Sequence, residues 1–221
     1  VLQRNVASGL LEDIETVYFQ LPTFYPGREA EGREHVTRAA EPVLWFVGLF
    51  DRMASSWPDQ AAAHATTWIA NDRFYFRKIK LYALSKGNLF NADQVADQLL
   101  SLNQAAFWDT NVVRELLFLL SGRWHEFSEE QHRRLTDRIL EGPEQPTHLS
   151  VEEFRGLRVE FACRYARYLE LQGCCLPKEG GQRLEEMIRG IPGWHDARAT
   201  SMVVERGSYA RWVGTDGKPD A

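Results

Sequence analysis

Cysteine is scarce in this chain. Cys163, Cys174 and Cys175 are too few and too closely set for a disulfide framework. They imply reduced thiols and point to a cytoplasmic protein. Basic residues are not in excess either: 26 Lys and Arg stand against 31 Asp and Glu, a net charge of -5. Such a chain has no global field drawing it to nucleic acid or an acidic membrane, although a local basic face remains compatible with it. No stretch approaches the ~18 uninterrupted apolar residues that would cross a bilayer. The opening VLQRNVASG has neither the charged leader nor the apolar run of a signal peptide. It also lacks an initiator Met, as a fragment or processed product of a longer chain would.

Patterns that carry chemistry are equally sparse. There is no Gly-x-Ser-x-Gly elbow, no Gly-x-x-x-x-Gly-Lys-Ser/Thr phosphate loop and no Gly-x-Gly-x-x-Gly fingerprint. The short Cys/His spacings of zinc sites are missing, and the adjacent Cys174 and Cys175 make a poor chelate. The acidic pairs Glu129-Glu130, Glu152-Glu153 and Glu185-Glu186 fall in first turns or on open sides of expected helices, where they meet the helix dipole or water. No cofactor, no metal and no catalytic residue is therefore expected in this segment. His125 and His132, seven residues apart, keep a small acid–base enzyme in view as a minor alternative.

What is present is helical periodicity. The centre is FWDTNVVRELLFLLSGRWHEFSEEQHRRLTDRILEGP, residues 107–143. Val113, Leu116, Leu117 and Leu120 share one face of a helix that Ser121-Gly122 can end. A second helix opens at Ser128 with Gln131 as its capping-box partner, and closes at Gly142-Pro143. Further helices are expected over about 8–20, 34–56, 59–70 and 72–85, then from Asn91 (capped with Gln94) through Leu102, from Ser150 to Gly173, and over 179–189. Strand alternation is almost absent. Short turns between such helices favour antiparallel neighbours. The fold class expected is all-α: stacked antiparallel helical pairs, α-solenoid-like or an irregular bundle, over residues 1–195. An irregular C-terminal tail over 196–221 would pack on it or stand exposed. No strict sequence repeat accompanies these pairs.

One helix stands out for its charge. In DRFYFRKIKLYALSKG, Arg73, Arg77 and Lys80 share a face while Tyr75, Ile79 and Tyr82 share another. Cations there could contact phosphates and the aromatics could stack on bases; the plainer reading is a charged side facing water. Seven tryptophans are expected mostly at helix–helix junctions, with Trp212, beside Tyr209 and Arg211, as the exception.

The order NLFNADQVADQLLSL, FWDTNVVRELLFLLSGRW, FSEEQHRRLTDRILEGP, LELQGC, IPGW and WVGTD resembles the C-terminal helical region of large bacterial proteins with a sirtuin-like or NTPase domain upstream. Several such architectures are associated with anti-phage defence. The similarity runs from about Trp68 to Asp216. It implies a non-catalytic sensing or assembly module, with catalysis in another part of the full-length protein. A protein partner, self-association or a phage-derived ligand would then meet a surface including Arg73, Arg77, Lys80, Tyr209, Arg211, Trp212 and Asp216. Nucleic acid is the alternative partner, and no membrane is expected.

Overall fold

The computed structural model describes residues 21–25, 40–68, 74–145 and 150–203, together with the side chains of these residues except Phe74 and Glu153. The fold is all-α, and the described residues contain no strand. Ten α-helices are described: α1 (Glu41–Ser56), α2 (Pro58–Thr66), α3 (Phe74–Leu84), α4 (Ala92–Ser101), α5 (Gln104–Phe107), α6 (Val113–Arg123), α7 (Glu129–Glu141), α8 (Val151–Leu171), α9 (Lys178–Arg189) and α10 (Ala197–Thr200). None of them is long and apolar enough to cross a membrane. The expected helix over 8–20 lies outside the described residues, as do 34–39 of the next.

Local chemistry sets most of the boundaries. Pro58 occupies the first turn of α2, where its missing N–H costs nothing, and Trp57 bridges α1 to α2. Both capping boxes form: Asn91 and Gln94 exchange side-chain-to-backbone bonds at α4, and Ser128 and Gln131 do so at α7. Gly142 and Gly173 end α7 and α8 at φ of 75° and 84°, conformations that disfavour any residue with a Cβ. The central helix begins at Val113, where its apolar period begins, but it runs through Ser121-Gly122, expected to end it, as far as Arg123. Asp109 accepts the Asn111 backbone N–H at 2.9 Å, an Asx turn that interrupts the chain between Phe107 and Val113.

Six of the helices lie in two layers, α3, α6 and α8 in one and α4, α7 and α9 in the other. Lys78 faces Glu115, and Arg123 reaches the Leu84 carbonyl, so contacts advance in the same sense and α3 runs parallel to α6. Trp108 packs on Tyr165 at 4.4 Å, and the Trp124 indole N–H donates to the Cys175 carbonyl at 3.0 Å; α6 thus runs parallel to α8. In the other layer Gln131 bonds Asp93 and Arg138 bonds the Leu100 carbonyl, setting α4 parallel to α7. Arg183 of α9 then reaches the Leu140 carbonyl at the end of α7. Between layers the sense reverses: Arg167 pairs with Glu185 while Glu170 lies beside Gly181, so α8 and α9 are antiparallel.

The core runs through the middle of this stack. From Tyr75 to Leu84 every residue of α3 is buried, as is every residue of α6 from Glu115 to Leu120. A helix covered on all sides should be apolar all round. α3 is not, since it carries Arg77, Lys78 and Lys80. The expected tail also needs revision at its start. Asp196–Val203 includes α10 and packs on α8, where Arg198 pairs with Glu160 at 3.4 Å. Residues 204–221 lie outside the described residues.

Candidate functional site

The cations of α3 are turned inward. Arg77 is 6% exposed and ion-paired with Asp109. Lys80 is 2% exposed, and its Nζ donates to the Ala65 carbonyl at 2.7 Å, in the last turn of α2. Burial alone pushes the Lys80 ammonium down to about 8. These positions correct the expected basic face. Neither the phosphate-binding reading nor the plainer solvated one holds for Arg77 or Lys80. A cation meeting a phosphate must reach solvent, and these two are already satisfied inside the protein. Arg73, Tyr209, Arg211, Trp212 and Asp216 lie outside the described residues.

Lys78, which the face analysis passed over, is the most deeply placed charge. It is 1% exposed, its Nζ lies 3.3 Å from Glu115 Oε1, and it donates to the Leu21 carbonyl at 2.7 Å. Glu115 is wholly buried. Burial pushes Lys78 down to about 8 against the upward pull of Glu115, with Arg114 adding to the fall and Asp109 opposing it. Leu21, Thr23 and Phe24 of the segment 21–25 are buried over this pair. Phe24 meets the edge of Tyr82, and Tyr25 meets Tyr82 and Phe118. No local sequence signal marks Lys78, because its partners lie 37 and 57 residues away.

Elsewhere the cations do the same work. Arg123 on α6 donates to the Leu84 carbonyl at the end of α3, at 2.9 Å. Arg138 on α7 donates to Leu99, Leu100 and Leu102 at the end of α4, and its guanidinium lies 4.4 Å from the Phe107 ring centre. Arg158 and Arg183 reach Glu141 and Leu140 at the end of α7. The last carbonyls of a helix carry partial negative charge and lack intrahelical partners, so cations from the next helix satisfy both needs. Arg123, Arg138 and Arg183 tie helices within a layer, and Arg158 joins α8 to α7 across the layers.

The histidines differ in their surroundings. His132 stacks on Trp124 at 4.8 Å and its Nε2 lies 2.8 Å from the Trp124 carbonyl oxygen, whereas His125 is exposed. Among the described residues no group of three His, Cys, Asp or Glu is placed to hold a metal. Burial pushes the Cys163 and Cys174 thiols up to about 11, away from thiolate reactivity. A groove of about 560 Å³ between α8 and α9 is lined by Glu170, Gln182, Glu185, Glu186 and Arg189, and Arg167 beside it pairs with Glu170, Glu185 and Asp196.

The tryptophans divide. Trp68 and Trp124 are buried, and Trp108 and Trp194 are partly covered, as expected of junction residues. Trp45 and Trp57, at 67% and 60% exposure, are not, which corrects the expectation for both. They stand on α1 and at its end, where Glu41, Pro42, Gly48, Arg52, Ser55 and Ser56 make up the rest of the exposed side. No family model matches the chain, and no curated protein or solved structure was found to be similar to it.

Proposed function

We propose that this chain is a non-catalytic helical module for recognition or assembly, and that α1 with Trp45 and Trp57 forms part of its contact surface. The observation that carries the reading is the exposure of these two indoles on a body whose buried cations are committed to helix ends and carboxylates. Tryptophan is enriched among residues that dominate binding energy, and a large exposed indole gains most when a partner covers it. A solenoid-like stack offers such surfaces at fixed spacing. The resemblance of residues 68–216 to the C-terminal regions of anti-phage defence proteins adds a setting. There the module would sense a phage-derived ligand or assemble copies, in the cytoplasm, for a sirtuin-like or NTPase domain.

The test compares the purified chain with a Trp45→Ser/Trp57→Ser variant of unchanged circular dichroism. Light scattering reports self-association, and capture from phage-infected and uninfected bacterial extracts reports partners. Association or capture that the double substitution abolishes supports the reading. Equal behaviour of the two proteins, or no specific association by either, contradicts it.

A further inference from the structure

The segment Leu21–Tyr25 belongs to no helix or strand, yet Leu21, Thr23 and Phe24 are as buried as the helical core. Side chains of α3 and α6 supply its attachments. Lys78 donates to the Leu21 carbonyl, the Lys78 ammonium lies 5.5 Å from the Phe24 ring centre, and Tyr82 and Phe118 pack against Phe24 and Tyr25. Tyr25 also donates through its hydroxyl to the Glu115 backbone carbonyl at 3.5 Å. The segment therefore sits where a bound peptide would sit, its main chain read by a cation and its aromatic side chains held by rings.

We propose that Leu21–Tyr25 is a displaceable strap, an internal peptide ligand closing over the Lys78–Glu115 pair in the seam between α3 and α6.

Two opposing effects make the docking reversible. Covering Leu21 and Phe24 removes apolar surface from water, which favours closure. Closure also strips water from a lysine and a glutamate, which opposes it and is only partly offset by their attraction. Opening the strap rehydrates both charges while the backbone hydrogen bonds of α3 and α6 stay intact. Strap opening should consequently need less free energy than unfolding the stack, as local openings commonly do. Pro22 within the segment and Pro26 just after it disfavour helix there.

Lys80 supplies the control. It lies two residues away on the same helix, its ammonium is likewise held at about 8, and it is capped by α2 rather than by the strap. Any difference in labelling between the two amines reports access. In the experiment the full chain is pulsed with an amine-acylating reagent, and modification of Lys78 and Lys80 is read by mass spectrometry across a urea series below the unfolding transition. The strap predicts that Lys78 labels at least about tenfold faster than Lys80 and with little urea dependence, as a small opening does. Phe24→Ala should raise the Lys78 rate by a further tenfold or so and leave Lys80 unchanged. If Lys78 and Lys80 label together with the urea dependence of global unfolding, the segment is fixed core and the proposal fails. A Lys78 rate indifferent to Phe24→Ala in a folded variant fails it equally. Should that variant not fold, the wild-type rates decide alone.

Discussion

Replacing Lys78 with Met tests the physics of the buried pair most fully. Its ammonium is held near 8 instead of the ordinary 10.5, even with Glu115 beside it. At 1.36 kcal/mol per tenfold, that gap corresponds to about 3 kcal/mol of unfavourable charge burial at neutral pH. Removing the cation lifts this cost but strands the wholly buried Glu115 carboxylate and the Leu21 carbonyl. Breaking a buried pair from one side typically costs about 3–5 kcal/mol, whereas replacing both partners with apolar groups is often neutral. Lys78→Met and Glu115→Gln should therefore each destabilise by about 2–4 kcal/mol, and Lys78→Met/Glu115→Leu should return to within about 1 kcal/mol of wild type. Urea midpoints at constant slope measure all four proteins. The sign of the pH effect follows from the depressed value. Above pH 8 the folded state loses this proton before the unfolded state does, so stability rises from pH 8 toward 10.5. That window contains opposing contributions from Cys163 and Cys174, whose raised values favour the unfolded state above about pH 9. Between pH 7.5 and 9 the equally depressed Lys80 contributes alike to both proteins, and wild type should gain about 1 kcal/mol more than Lys78→Met. Single substitutions each costing under about 0.5 kcal/mol, with no difference in pH slope, would show the pair to be hydrated and refute the reasoning.

Other positions make independent predictions. Arg138→Ala removes the donor to three carbonyls at the end of α4 and the cover over Phe107, and should lower stability by about 2–3 kcal/mol in urea titration, with Arg138→Lys recovering only part. Gly180→Ala sets a Cβ 2.5 Å from Thr136 Cγ2, and should destabilise by about 1–3 kcal/mol; adding Thr136→Ser, which deletes that methyl, should restore most of the loss in thermal melts. Trp45→Ser and Trp57→Ser should leave the urea midpoint within about 0.5 kcal/mol of wild type, because neither indole fills a junction.

How far residues reveal structure depended on whether their partners were local. Asn91 with Gln94 and Ser128 with Gln131 were legible because each capping box closes within four residues. The stripe of α6 was legible for the same reason, although the helix continues through Ser121-Gly122 to Arg123. Along α8, Phe154, Tyr165 and Tyr168 are buried as their spacing implied, while Leu157 is 42% exposed. The cations of α3 misled because their partners, Ala65, Asp109 and Glu115, are distant in sequence. A period of 3.6 separates two faces of a helix but does not say whether the polar face meets water or the carbonyl end of another helix. Trp45 and Trp57 were invisible as surface residues for a related reason. Their size favours burial on average, and only the packing of α1 against α2 and Trp68 shows which aromatic rings the core had room for.

Native-state hydrogen exchange of α3 tests the central claim most directly, namely that a helix rich in cations is the covered axis of this stack. The amides from Ile79 to Leu84 should exchange only through global unfolding, with the free energy and urea slope of the whole protein. Exchange of these amides several kcal/mol more easily than the global value, as an amphipathic helix on the surface would show, would contradict it.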